Sequence, residues 1–166
     1  HDDRDLGVEP STETVTWESG DIWVRNDNTS GFSTDEMENP EYSATIPVSV
    51  YVRVRNRGCA ASSGLNPNPS GPHPENIRLY WAKAGTYHNW PAPWDGLPIN
   101  SQVIGGQIGV QGVPIIDKFG QTILRFDWNI PNPNQFGNAE WDTNGDNIPD
   151  AWHFCLLARV DASTDP

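Results

Sequence analysis

Asp142, Asn144, Asp146 and Asp150 are the side chains of this sequence best spaced for chemistry. They occupy the first, third, fifth and ninth positions of Asp142-Thr143-Asn144-Gly145-Asp146-Asn147-Ile148-Pro149-Asp150. Oxygens at that spacing, with a main-chain carbonyl near the seventh position, suit a hard cation, and Ca2+ takes roughly six to eight oxygens in flexible geometry. The twelfth position is His153, where an EF-hand carries a bidentate glutamate. The segment therefore predicts a short acidic calcium loop of the kind found in extracellular repeats, with an ion that pins a loop. A solvated Asp/Asn turn without an ion uses the same residue types.

A second candidate is the loop Tyr87-His88-Asn89-Trp90-Pro91-Ala92-Pro93-Trp94. Exposed Tyr87, Trp90 and Trp94 rings between prolines can stack on sugar faces or anchor a protein partner. The competing expectation is that the tryptophans fold back over the domain as a satellite core. His1 suggests a third chemistry, because an N-terminal histidine on a β-sandwich is the first requirement of a copper histidine brace. A facing histidine would have to come from His73, His88 or His153, and none lies in a motif resembling such enzymes. Other catalytic readings end sooner. There is no HExxH, no nucleophile elbow and no glycine loop opening a helix. Asn28 heads one N-x-S/T sequon, a possible glycosylation site in a secreted chain.

The elements that must position these residues are strands. The chain has 166 residues, enough for one domain with a real core. Eight tryptophans and runs of alternating valines argue for packing, while 15 glycines and 15 prolines punctuate an all-β chain with long loops. Val48-Ser49-Val50-Tyr51-Val52-Arg53-Val54-Arg55 is the clearest strand, its period of two predicting one buried and one wet face. Asp21-Ile22-Trp23-Val24-Arg25 reads as an earlier strand, and Ile77-Arg78-Leu79-Tyr80-Trp81 as a later one with Ile77, Leu79 and Trp81 inward. Residues 108–116 suggest a short strand and a turn. Leu124, Phe126, Trp128 and Ile130 share one face, as do Trp152, Phe154, Leu156, Ala158 and Val160. Six or seven such strands predict an antiparallel β-sandwich, with a closed barrel as the alternative.

The formal charge of −12 opposes nucleic acid, and no apolar run reaches the roughly 18–20 residues needed to cross a bilayer. Beginning at His1 rather than Met, the sequence reads either as a chain whose signal peptide has been removed or as part of something longer. Cys59 and Cys155 are the only cysteines. In a secreted chain they would pair, closing a loop worth about 4–5 kcal/mol in the chain-entropy picture; in a reducing compartment they would be separate thiols.

Val50-Tyr51-Val52-Arg53-Val54-Arg55-Asn56-Arg57-Gly58-Cys59, Leu79-Tyr80-Trp81-Ala82-Lys83-Ala84, Trp90-Pro91-Ala92-Pro93-Trp94-Asp95-Gly96 and His153-Phe154-Cys155-Leu156-Leu157-Ala158-Arg159 carry a family likeness. Together with Asp21-Ile22-Trp23-Val24-Arg25-Asn26, they resemble the CARDB-like, immunoglobulin-like adhesion modules of secreted bacterial multidomain proteins. The resemblance implies an immunoglobulin-like sandwich, an extracellular or cell-surface setting, a non-catalytic role and the joint occurrence of Cys59 and Cys155. It implies no ligand, and residues 137–151 fit it less well. The resulting expectation is a structural or adhesive module, with residues 21–166 as the sandwich and residues 1–20 as an N-terminal extended segment. The β-prone stretch 8–17 could add as a strand to a neighbouring copy, so the expected partners are further copies or flanking domains of a larger surface protein. A glycan-binding module using Tyr87, Trp90 and Trp94 is the alternative, followed by a copper oxidase through His1.

Overall fold

Alternating valines make β2, Val48–Arg55, the centre of the first sheet. In the computed structural model, which describes residues 19–26, 38, 40–62, 64, 75–83, 90–132 and 154–161, six strands occur. They are β1 (Ile22–Arg25), β2, β3 (Asn76–Lys83), β4 (Gly105–Gly112), β5 (Gln121–Trp128) and β6 (Phe154–Asp161). One sheet has the order β1-β2-β5 and the other β4-β3-β6, and every pairing is antiparallel. This is the immunoglobulin-like plan: the first, second and fifth strands form one layer, and the third lies between its neighbours in the other. No barrel closes among the described residues.

The inward faces follow the period of two. Val48, Val50 and Val52 from β2 meet Ile77, Leu79 and Trp81 from β3, with Phe126 and Trp128 from β5 and Val24 from β1. Phe154, Leu156 and Ala158 of β6 pack against that cluster. Trp81, Trp128 and Phe154 form its aromatic centre: Phe154 stands edge-on to both indoles, with ring centroids 5.8 and 5.2 Å away. That geometry is favoured by the ring quadrupoles and adds about 0.5–1.5 kcal/mol per pair beyond area burial.

The expectation of one wet face on β2 needs correction. Ser49 and Tyr51 point away from the inter-sheet core yet are 0% and 5% exposed. Trp23, opposite Tyr51 in the ladder, stacks on it at 5.7 Å, and the Arg53 guanidinium lies 5.3 Å from the Trp23 ring centroid. Large flat rings on the outward row bury one another, which alternation alone does not reveal. At the mouth of this face the Asp21 carboxylate holds Arg55 at 2.9 Å and Arg53 at 3.5 Å, tying the entry to β1 onto β2. β4 also differs from expectation. It starts at Gly105 and ends at Gly112, and the chain then runs on as loop, sending Val113 and Ile116 back into the core.

Candidate functional site

The second sheet's outer face is where the aromatic loop settles. β3 and β6 present Tyr80 opposite Leu157 and Ala82 opposite Cys155 on that side. Trp94 drops onto them and is 6% exposed, forming a second apolar cluster with Tyr80, Ala82, Cys155 and Leu157. The loop can lie this close because β4 opens with glycine: a Cβ on Gly105 would overlap the Pro93 carbonyl oxygen. Gly96 adopts a φ of +74°, a left-handed conformation suited to a residue without a Cβ, and its N–H donates to the Pro93 carbonyl. The Asp95 carboxylate accepts from the Leu97 N–H at 3.0 Å and fixes the turn.

Trp90 behaves differently from Trp94. It is 50% exposed, although its ring is held on two sides. Tyr80 meets it at 78° with centroids 5.3 Å apart, and the Arg159 guanidinium sits 4.1 Å from its centroid. Arg159 lies directly across the ladder from Arg78, whose Nη1 donates to Gln107 Oε1 at 3.4 Å. Cross-strand partners have Cβ atoms about 4.5–5.5 Å apart, so two guanidinium stems share one row of the face. Both arginines are half-buried and Gln107 is exposed. The two expectations for this loop thus divide between its tryptophans, Trp94 serving as satellite core and Trp90 as surface.

Sequence reasoning had no means of finding Arg78 and Arg159. Each sits at an outward position of an alternating strand, but nothing in either segment says that β3 pairs with β6 or in which register. Tyr87 lies outside the described residues, as do Asp142, Asn144, Asp146 and Asp150 of the acidic loop, Asn28 of the sequon, and His1, His73, His88 and His153. Among the described residues, no group of three or more His, Cys, Asp or Glu side chains is placed to hold a metal. No helix among them is long and apolar enough to cross a membrane.

The expected Cys59–Cys155 bridge is absent, and both residues are free thiols. Cys155 lies on β6 but at an outward position opposite Ala82, so it faces the Trp94 cluster and not the other sheet. Cys59 lies at the far end of the sandwich, in the turn where Asn56 donates to the Ala60 and Ile116 carbonyls and Ser62 N–H bonds Ile116. That end also holds Glu75, just before β3, whose N–H donates to the Gly64 carbonyl. Ala82 stands six residues along the strand from Asn76, a rise of about 20 Å, whereas a disulfide needs Cα atoms within about 7 Å. Burial pushes the Cys155 thiol above its ordinary pKa by disfavouring the thiolate.

No family model, no curated protein and no solved structure matches this chain.

Proposed function

We propose that this chain is a non-catalytic, extracellular structural or adhesive module, a building block of a cell-surface or filamentous assembly in which copies join through β-strand contacts. The observation that carries this reading is the edge of β6. It is eight residues long, pairs with β3 on one side, and has no partner strand on the other among the described residues. Half of an edge strand's N–H and C=O groups point outward, a template for another extended segment. The sandwich's opposite flank is less open: β4 and β5 approach across it, with Gln111 Nε2 donating to the Arg125 carbonyl. β1 is also partly occupied, because Glu38 N–H donates to the Val24 carbonyl at 3.0 Å. In this reading, residues 8–17 of a second copy supply the strand. The likeness to CARDB-like adhesion modules supports the same role, as does an acidic loop at 142–150 that would be stiffened by Ca2+.

Sedimentation velocity and electron microscopy of the full chain test this. Assembly should rise with concentration and be lost both on deleting residues 1–20 and in Val160→Lys. Val160 lies near the end of β6 and is 44% exposed, so a lysine there charges the edge at little cost to folding. Unchanged assembly after the deletion would show that strand exchange by this segment is not the mechanism.

A further inference from the structure

We infer that copies of this chain also stack end to end: the turn carrying Ile115 and Phe119 seats on the hairpin carrying Leu97, Ile99 and Val103 of the next copy. This second interface rests on the assembly reading for its setting, and adds an axial contact to the lateral one at β6. Two independent properties single out the same two turns. The first is exposure. Phe119, Ile115 and Leu97, at 73%, 68% and 64%, are the most exposed large hydrophobic side chains among the described residues. The second is backbone conformation. The non-glycine residues with positive φ among the described ones are Asn100 (50°), Ser101 (68°) and Phe119 (57°), and all three lie in these turns. Asparagine tolerates that region, whereas a bulky phenylalanine there is an outlier. Gly120 N–H donates to the Asp117 carbonyl at 2.8 Å, closing a turn whose third residue is Phe119, a position that glycine or asparagine fills at lower cost. Burial returns nothing for that cost, because the ring stands in solvent. The turn is also pinned. Ile116 is buried, its N–H donates to Ser62 Oγ and its carbonyl accepts from Asn56 Nδ2, both at 2.9 Å, while Asn56 N–H donates to the Gly120 carbonyl. Strain held in place around an exposed aromatic ring points to recognition. The hairpin is built alike: Ile99 and Gln102 exchange N–H···O bonds at 2.8 and 3.0 Å, with positive φ at both central residues, where the second is usually glycine.

Placement makes the two turns partners. The hairpin leads into β4, and Lys83 N–H at the end of β3 donates to the Ile104 carbonyl at 2.7 Å. The other turn follows β4, and Val113 N–H donates to the Glu75 carbonyl just before β3 at 2.9 Å. The eight residues of β4 therefore separate them, a span of about 25 Å. A copy displaced along that strand brings the Phe119 tip of one molecule to the Leu97 tip of another. A patch that matches a different patch on the same molecule gives a head-to-tail contact, which does not close on itself and so propagates. Charge favours unlike ends. Asp95 is the one charged side chain in residues 90–104 and is exposed, and Lys118 stands exposed beside Phe119. Two hairpins face to face would set Asp95 against Asp95. Five side chains fall short of the roughly 800 Å² per partner of a standard interface. The contact is therefore weak alone and acts through the raised effective concentration of copies already joined at β6.

Sedimentation equilibrium of the full chain carrying Val160→Lys, which closes the strand route, tests the contact. That parent should self-associate reversibly with a dissociation constant of roughly 0.1–1 mM. Phe119→Asn and Leu97→Asp, each added to the parent, should each weaken association at least roughly tenfold. Phe119→Asn should also melt at or above the parent, because asparagine fits the backbone that phenylalanine strains. Mixed in equal amounts, the two variants should recover dimers and nothing larger, since each brings one intact end. Association of either variant alone at the parent's strength would overturn the inference, because it would mean that like ends join or that the mutated tip takes no part. A monomeric parent, or a mixture without dimers, would overturn it equally. Should a monomeric parent float with phosphatidylcholine vesicles and Phe119→Asn not, the turn belongs to a bilayer surface instead. Deleting residues 1–20 touches neither tip, so failure of this contact and failure of strand exchange are read separately.

Discussion

Replacing Gly105 by alanine should destabilise the domain through a single contact, and the neighbouring Gly106 provides the control. A Cβ on Gly105 would overlap the Pro93 carbonyl oxygen and lie 3.0 Å from both the Pro93 carbonyl carbon and the Trp81 carbonyl oxygen. All three are backbone atoms, and Pro93 is among the most fully buried residues of the chain, so no flexible side chain can move aside. Either the strand or the 90–97 loop must shift, at about 1–3 kcal/mol for an overpacked site. The stiffer unfolded chain of the alanine variant returns about 0.4–1 kcal/mol, leaving a net loss of roughly 1–2 kcal/mol. For a chain this long each kcal/mol shifts the melting temperature by about 2–4 °C, so a fall of roughly 2–8 °C is expected. A Cβ on Gly106 meets nothing closer than Trp81 Nε1 at 3.5 Å, an ordinary contact, so Gly106→Ala should be neutral or slightly stabilising. Calorimetry and urea titration of both variants separate the effects, and tryptophan fluorescence should show Trp94 more solvated in Gly105→Ala alone. If Gly105→Ala melts at or above Gly106→Ala, the close seating of the loop on β4 is wrong, and with it the geometry that places Trp90.

Two further outcomes follow from the thiols and the acidic loop. The exposed Cys59 should react promptly with a disulfide reagent at neutral pH and Cys155 slowly, and mass spectrometry of unreduced protein should show two free thiols; a mass lower by two hydrogens would restore the bridge. Because the folded state holds the Cys155 proton more tightly than the unfolded state, stability should be flat while both forms are protonated. It should fall as pH rises from the thiol's ordinary range towards its raised folded value, a loss that Cys155→Ala removes. If residues 142–150 hold calcium, chelation should lower the melting temperature and added Ca2+ should restore it, with Asp146→Ala insensitive to either; an unchanged melting curve counts against the ion.

The strands whose side chains alternate strictly are legible in the sequence. Val48–Arg55 has the observed bounds of β2, and the inward set Ile77, Leu79 and Trp81 is the observed one. Period two is imposed on each strand by its own pleat, so one segment suffices to show it. Pairing is different. The Arg78–Arg159 row exists only because β6 joins β3 in one particular register, and a slip of one residue would send both side chains to the opposite face. The start of β4 is hidden for another reason. Gly105 and Gly106 have low strand propensity and belong to the sheet because a loop distant in pattern but adjacent in space needs the room. Val160 also departs from expectation: it sits in register with the buried Ile77 yet is itself 44% exposed.

The described tryptophans show how apolar packing spreads beyond the space between the two layers. Two three-stranded layers enclose limited volume, and Trp81, Trp128 and Phe154 already fill its centre. The remaining described tryptophans therefore go outside the sheets. Trp23 stacks on Tyr51 over the first sheet and Trp94 covers Tyr80 and Ala82 over the second, so apolar packing extends beyond the space between the layers. A small domain gains burial this way without a larger core, at the cost of the wet faces that alternation would otherwise provide. On the second sheet this coverage gives way at the row of Val110, Arg78 and Arg159, where polar side chains and a half-exposed indole reach solvent together. Trp90 stands at that boundary, held from below like a core residue and open above like a surface one.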